Sequence, residues 1–265
     1  MSGQKRAGGN AITLKTPAEI DILRQANRIV ADTLNLLKDE IRSGITTLRL
    51  DAMAEAFARD RGAAPAFKGY HGFPGSLCVS INEQVVHGIP SAKVFLKEGD
   101  IVSIDFGVCY QGFYGDAAVT LPVGLIEPRR RELLGVTRES LYRGIEQARV
   151  GNRINDISAA IQRHVEGRGF SVVRQFVGHG IGTRLHEPPE VPNYVRENGT
   201  TPRLLPGMVL AIEPMVNLGT HDVKVLGDGW TVVTRDAAPS AHFEHSIVIT
   251  EDGPLILSEG IMAEC

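Results

Sequence analysis

Apolar residues recur at helical spacing in four stretches of the chain and gather into short β-rich runs between them. The first helical stretch opens at Thr16-Pro17-Ala18-Glu19, with an N-cap threonine, a proline in the first turn and a glutamate three residues after the cap. It continues through Ile20, Leu23, Ile29, Val30 and Leu34, an apolar face that needs a partner surface. A second helix is predicted over 48–61, where Leu50, Met53, Ala54 and Phe57 share a face and Gly62 ends the run. Strands are predicted at 77–81, 101–110 and 117–121, separated by glycine, proline and asparagine. Helical spacing returns over 129–147 and 154–166, and a second strand set is predicted at 172–177, 208–216, 230–234 and 244–250. Helix pair, strands, helix pair, strands is an order that repeats once. It predicts an α+β fold of two similar halves whose sheets join around a shared cleft, although no residue-level repeat is visible.

Composition narrows this picture. A chain of 265 residues with 43% hydrophobic content can bury one substantial core, and its glycines and prolines are dispersed as turns rather than gathered into a linker. Residues 16–265 are therefore read as a single domain behind a flexible tail, residues 1–15. A net charge of -3 argues against a dedicated nucleic-acid site. The run Pro128-Arg129-Arg130-Arg131 is read as a solvated helix start. Cys78, Cys109 and Cys265 are odd in number and lack the CxxC spacing of a redox or zinc pair, which suits a reducing compartment. With no apolar leader and no run of ~20 apolar residues, the expected location is the cytoplasm, away from membranes.

The candidate chemistry lies in carboxylates set where carboxylates are costly. Asp105 interrupts the apolar strand Ile101-Val102-Ser103-Ile104, Glu213 follows Val209-Leu210-Ala211-Ile212, and Glu244 precedes Ser246-Ile247-Val248-Ile249. Each must be neutralised by a partner or a cation if buried. Asp116 follows Asp105 at a distance that lets a strand turn back and bring the two carboxylates together. Alone, Asp105 could be a salt-bridge residue and Asp116 a turn residue; the recurrence of the anomaly favours a common cause. His179, in Gly178-His179-Gly180-Ile181-Gly182, has small neighbours that let a ligand approach, and the spacing is not that of a phosphate loop. Four carboxylates and an imidazole form a hard donor set suited to two adjacent Mn, Fe, Co or Zn ions, about 3.5–4 Å apart when carboxylates bridge them. Such a pair activates water and polarises a carbonyl, the requirements of peptide hydrolysis at a free amine.

In this order, with the motifs Gly69-Tyr70-His71-Gly72-Phe73-Pro74, Val86-His87-Gly88-Ile89-Pro90, His186-Glu187-Pro188-Pro189 and Ile212-Glu213-Pro214-Met215, the sequence resembles the type I methionine aminopeptidases from about Thr16 to Thr250. The short interval from His186 to Glu213 leaves no room for the helical insertion of type II enzymes. The resemblance implies the pita-bread fold, with pseudo-twofold halves around a curved antiparallel sheet. It implies that Asp105 binds one ion, that His179 and Glu213 bind the other, that Asp116 and Glu244 bridge, and that Glu213 shuttles a proton for a bridging hydroxide. It also implies that His87 and His186 contact the substrate amide and stabilise the tetrahedral intermediate. Tyr70, Phe73, Cys78, Leu185 and Trp230 are the implied methionine pocket, although each of these, read alone, is an ordinary core residue. The implied substrates are nascent polypeptides with a small second residue, met by a monomer in transient contact with the ribosome. Two other readings share the fold: an Xaa-Pro peptidase, which a peptide comparison distinguishes, and a catalytically dead binding module, which would have lost its metal ligands.

Overall fold

The capping signals at Thr16 are used as the sequence suggests. Its hydroxyl accepts from the Glu19 N–H at 3.4 Å, and the Glu19 carboxylate accepts from the Thr16 N–H at 2.7 Å. In the structure, a computed structural model that describes residues 11–196 and 200–261, this cap starts α1 (Pro17–Glu40). The other helices among the described residues are α2 (Thr47–Asp60), α3 (Pro128–Glu146) and α4 (Ile154–Glu166). The strands are β1 (Ala64–Pro65), β2 (Cys78–Ile81), β3 (Gln84–Val86), β4 (Ile101–Tyr110), β5 (Phe113–Pro122), β6 (Ser171–Val172), β7 (Gly178–Gly180) and β8 (Glu187–Val191). They continue as β9 (Val209–Ile212), β10 (Met215–Asn217), β11 (Val223–Val225), β12 (Val232–Thr234), β13 (Ser240–His242), β14 (Glu244–Thr250) and β15 (Gly253–Ile256).

One curled antiparallel sheet runs in the order β1-β4-β5-β14-β9-β7-β8, with β2 paired to β4 and β15 to β14. Two further sheets of three strands run β13-β10-β6 and β11-β12-β3. The sheet joins the halves of the chain at the β5–β14 pair, and one helix pair belongs to each half. Leu23, Ala26, Val30, Leu34 and Leu37 of α1 are wholly buried against β4 and β5, each large aliphatic chain contributing about 1.5–3 kcal/mol. This is the pita-bread arrangement.

Several predicted boundaries shift for local reasons. The segment 172–177 is not one strand: only Ser171–Val172 pairs, and the chain then loops to β7. The segment 208–216 divides at Glu213-Pro214, where proline offers no N–H and the chain passes from the large sheet to a small one. Trp230 precedes its strand, in a turn where Asp228 Oδ1 accepts the N–H of both Trp230 and Thr231 at 2.9 Å. The tail boundary at residue 15 lies too late. Lys15 is buried with Nζ 2.5 Å from Glu187 Oε2, and Ile12 packs on the core, whereas residues 1–10 lie outside the described residues. Of the arginine run, Arg129 and Arg131 are exposed, but Arg130 reaches back to donate to Asn82 Oδ1 and the Gly99 carbonyl.

Candidate metal centre

The sheet register brings the five acidic and histidine positions to one face. In β4 and β5, Asp105 pairs with Ala118 and Gly107 with Asp116, so the two aspartates are diagonal neighbours on the same side. Ala118 pairs in turn with Glu244 of β14. Ala211 pairs with both Ser246 and His179, and because side chains alternate along a strand, His179, Glu213 and Glu244 share that side.

Each side chain is held by its own surroundings. Gly115 lets α1 sit directly on β5, since a Cβ there would lie 2.8 Å from the Ala26 carbonyl carbon and the Asn27 nitrogen. Asn27 Oδ1 accepts from the Asp116 N–H at 3.3 Å, while its own amide donates to the Leu23 carbonyl at 2.9 Å. His179 Nδ1 lies 3.0 Å from the Gly180 carbonyl. A carbonyl only accepts, so Nδ1 carries the proton and Nε2 presents a lone pair to the site. That Nε2 is 3.6 Å from Glu213 Oε1. Two ligands about 2.0–2.1 Å from one tetrahedral ion stand ~3.4 Å apart, close to this spacing. Ligand atoms of Asp116, His179 and Glu244 all lie within 4.8 Å of one another.

The electrostatics point the same way. Burial pushes Glu213 up to about 8; burial, and then the Glu213 charge, push Asp105 up to about 7 against the pull of His242. Asp116 and Glu244 are driven well above the carboxylate range by burial and by the other carboxylates. Burial holds His179 at about 3, in the neutral form that ligates. Asp105 Oδ1, Asp116 Oδ1 and Glu244 Oε1 are buried with no hydrogen-bond partner among the described residues. Hard oxygen donors that repel one another, and that keep their protons only because burial and mutual repulsion oppose ionisation, fit a divalent cation.

All twelve residues singled out in the sequence line one cavity of about 300 Å³, at the small end of ligand sites. The carboxylates reach it from one face of the large sheet. Elsewhere in the lining, Phe73 and Trp230 meet edge to face with centroids 5.2 Å apart, Leu185 is buried, and Cys78, paired with Asp105 in register, brings a thiol that burial keeps neutral. His186 has its ring 4.3 Å from that of His179 and its Nδ1 2.7 Å from the Tyr70 hydroxyl. His87, at a left-handed φ of 59°, stands edge-on to Phe176 and Trp230, and burial, then the nearby His242 and His186, bring it down to about 4.

Residues 21–251 match metallopeptidase family M24. The chain is 56% identical over 247 residues to a methionine aminopeptidase of Clostridium perfringens, covering 93% of this chain and 98% of that protein. The crystal structure of a methionine aminopeptidase from Thermotoga maritima agrees with a TM-score of 0.91 at 47% identity, over 94% of this chain and 100% of that one. The chain belongs to the methionine aminopeptidase family of M24 metallopeptidases. A prolidase from Pyrococcus furiosus also superposes, with a TM-score of 0.75 at 24% identity over 93% of this chain and 65% of that one. That likeness shows the fold alone.

This M24 metallopeptidase also lines its cavity with Phe67, His71, Phe176 and Met215, which sequence reasoning did not single out. Phe176 and Met215 sit in apolar runs that read as core strands, so nothing local marks them. His242 is the more consequential omission. It is buried, its Nε2 has no hydrogen-bond partner among the described residues, and that atom lies 3.6 Å from Glu213 Oε2. Its position two residues before Glu244 is the signal that could have found it.

Proposed function

We propose that this M24 metallopeptidase removes the initiator methionine from nascent proteins whose second residue is small. The observation that carries the reading is one cavity lined both by five metal-compatible ligands and by a sulfur and aromatic set. In this reading Asp105 would hold one divalent ion and His179 and Glu213 the other, with Asp116 and Glu244 shared between them, and the ions would supply an activated water and polarisation of the scissile carbonyl.

The chain's own groups do the rest. Tyr70, Phe73, Cys78, Leu185 and Trp230 surround an unbranched thioether, and a charged side chain among these apolar and aromatic groups would lose its hydration without a partner. Glu213 takes the proton of the attacking water and passes it to the leaving amine. Burial brings His186 below its ordinary pKa, so its ring is neutral, and a Tyr70 hydroxyl donating to Nδ1 leaves the ring proton on Nε2. His186 then donates to the carbonyl oxygen as negative charge develops there. His87 contacts the substrate amide. The enzyme acts as a cytoplasmic monomer on chains emerging from the ribosome; no described helix is long and apolar enough to cross a membrane.

The test is metal-stripped protein reloaded with Mn(II) or Co(II) and offered Met-Ala-Ser and Ala-Pro peptides. Methionine release only after reloading, with the Ala-Pro peptide untouched, is the expected result, and Glu213→Gln should lose turnover with its metals in place. Activity that survives exhaustive chelation, or preference for Ala-Pro, refutes the reading.

A further inference from the structure

His242 is a buried imidazole at the edge of the cluster, and the mechanism above makes no use of it. It ends β13, opposite Met215 of β10, where the chain leaves the small sheet for the strand that carries Glu244. Its backbone is locked at both polar groups: the Thr120 hydroxyl donates to the His242 carbonyl at 2.8 Å and accepts from the His242 N–H at 2.8 Å. Ser103 lies 2.8 Å from the same Thr120 oxygen and donates to it, since the threonine proton is already engaged. The backbone that carries the imidazole is thus tied to β5 directly and to β4 through Ser103, the strands that present Asp105 and Asp116.

The two oxygens of Glu213 face different groups. Oε1 is 3.6 Å from His179 Nε2, the separation of two ligands on one ion, whereas Oε2 is 3.6 Å from His242 Nε2. An ionised carboxylate oxygen only accepts, so an imidazole facing it must offer N–H, and His242 Nε2 has no other partner among the described residues. Closing from 3.6 Å to a charge-assisted hydrogen bond requires a shift of under about 1 Å, within reach of the rotatable bonds of the glutamate side chain.

We propose that His242 is a positioning residue of the metal centre, donating its Nε2–H to Glu213 Oε2 and so holding Oε1 on the ion and the carboxylate in the orientation its proton transfer needs. Groups that orient a ligand from behind set its geometry and basicity, and their loss weakens metal binding by about 10- to 100-fold. The inference rests on the ligand set proposed above.

Glutamine and asparagine distinguish the two ring nitrogens, because the glutamine amide reaches the place of Nε2 and the asparagine amide stops near Nδ1. Metal-free His242→Gln, His242→Asn and His242→Met proteins are to be titrated with Mn(II) by calorimetry, with their metal-free melting temperatures recorded and the visible spectra of their Co(II) forms compared with wild type. The expected result is a rise of about 10- to 100-fold in the Mn(II) dissociation constant for His242→Asn and His242→Met, with a changed Co(II) ligand-field band. His242→Gln should bind within a few-fold of wild type with the wild-type band. If His242→Met does not fold, the glutamine and asparagine variants, both polar and one methylene apart, decide the matter. Equal affinity in glutamine and asparagine variants overturns the proposal while wild type still binds Mn(II). Wild type that binds no Mn(II) overturns the ligand set instead, and this proposal with it.

Discussion

The stability lost on stripping the metal should grow as pH rises through the neutral range. Asp105, ordinarily at 3.8, is held at about 7 in the folded chain, and Glu213, ordinarily at 4.5, at about 8. Raised carboxyl values mean that the folded state keeps protons which the unfolded chain has already lost. The stability they represent is complete below about pH 4 and disappears as pH climbs through 7 to 8. For Asp105 the displacement of about three pH units corresponds to about 4 kcal/mol. Between pH 5 and 7 one extra folded-state proton gives a slope of about 1.4 kcal/mol per pH unit and two give about 2.7. Part of the Asp105 displacement comes from the Glu213 charge, so the pair falls between these limits. For a chain of this size the pair by itself lowers the melting temperature by about 3–10 °C for each pH unit, while the buried neutral histidines, His179 at about 3 and His87 at about 4, act in the opposite direction below about pH 6.5.

Bound divalent ions reverse the sign, because they hold the same carboxylates ionised. The useful quantity is therefore the difference in melting temperature between reloaded and metal-stripped protein, measured by calorimetry from pH 5 to 7.5. Remote histidines and carboxylates contribute equally to both forms and cancel. The gap should widen steadily with pH, and calorimetric titration of Mn(II) near pH 6 should release protons to the buffer. A gap that stays flat or narrows over this range would refute the claim that buried, mutually repelling carboxylates await a cation.

Other consequences are open to simple measurement. Tyr70→Phe keeps the ring that lines the pocket but removes the hydroxyl at His186 Nδ1; losing about 1 kcal/mol of orientation should lower kcat about five- to tenfold with little change in KM, and an unchanged kcat would show that the tautomer is set by other means. Lys15→Met leaves Glu187 buried without its cation, at a cost of about 3–5 kcal/mol in urea unfolding, and adding Glu187→Gln should restore most of that loss.

Much of this protein is legible in its sequence because much of its information is local. The Thr16 cap, the apolar faces of the helices and the strands bearing Asp105 and Glu244 all follow from spacing between near neighbours, and the carboxylates betray themselves by standing in apolar strands. The helix-pair and strand order, repeated once, was enough to anticipate two halves around a cleft. What sequence spacing did not carry is register and approach between distant segments. Whether Asp116 and Glu244 face one side depends on Ala118 pairing with Glu244, a contact between strands from opposite halves of the chain. The break at Pro214 that frees Glu213, the Tyr70 hydroxyl against His186, and the burial of Lys15 under Glu187 are likewise settled only when the sheet curls. Apolar residues such as Phe176 and Met215 look alike whether they fill a core or line a cavity, since hydrophobicity records removal from water and not what lies on the other side. His242 became visible for the same reason in reverse: an imidazole is unremarkable in a sequence, and only the fold shows that its nitrogen has a carboxylate before it and no other partner among the described residues.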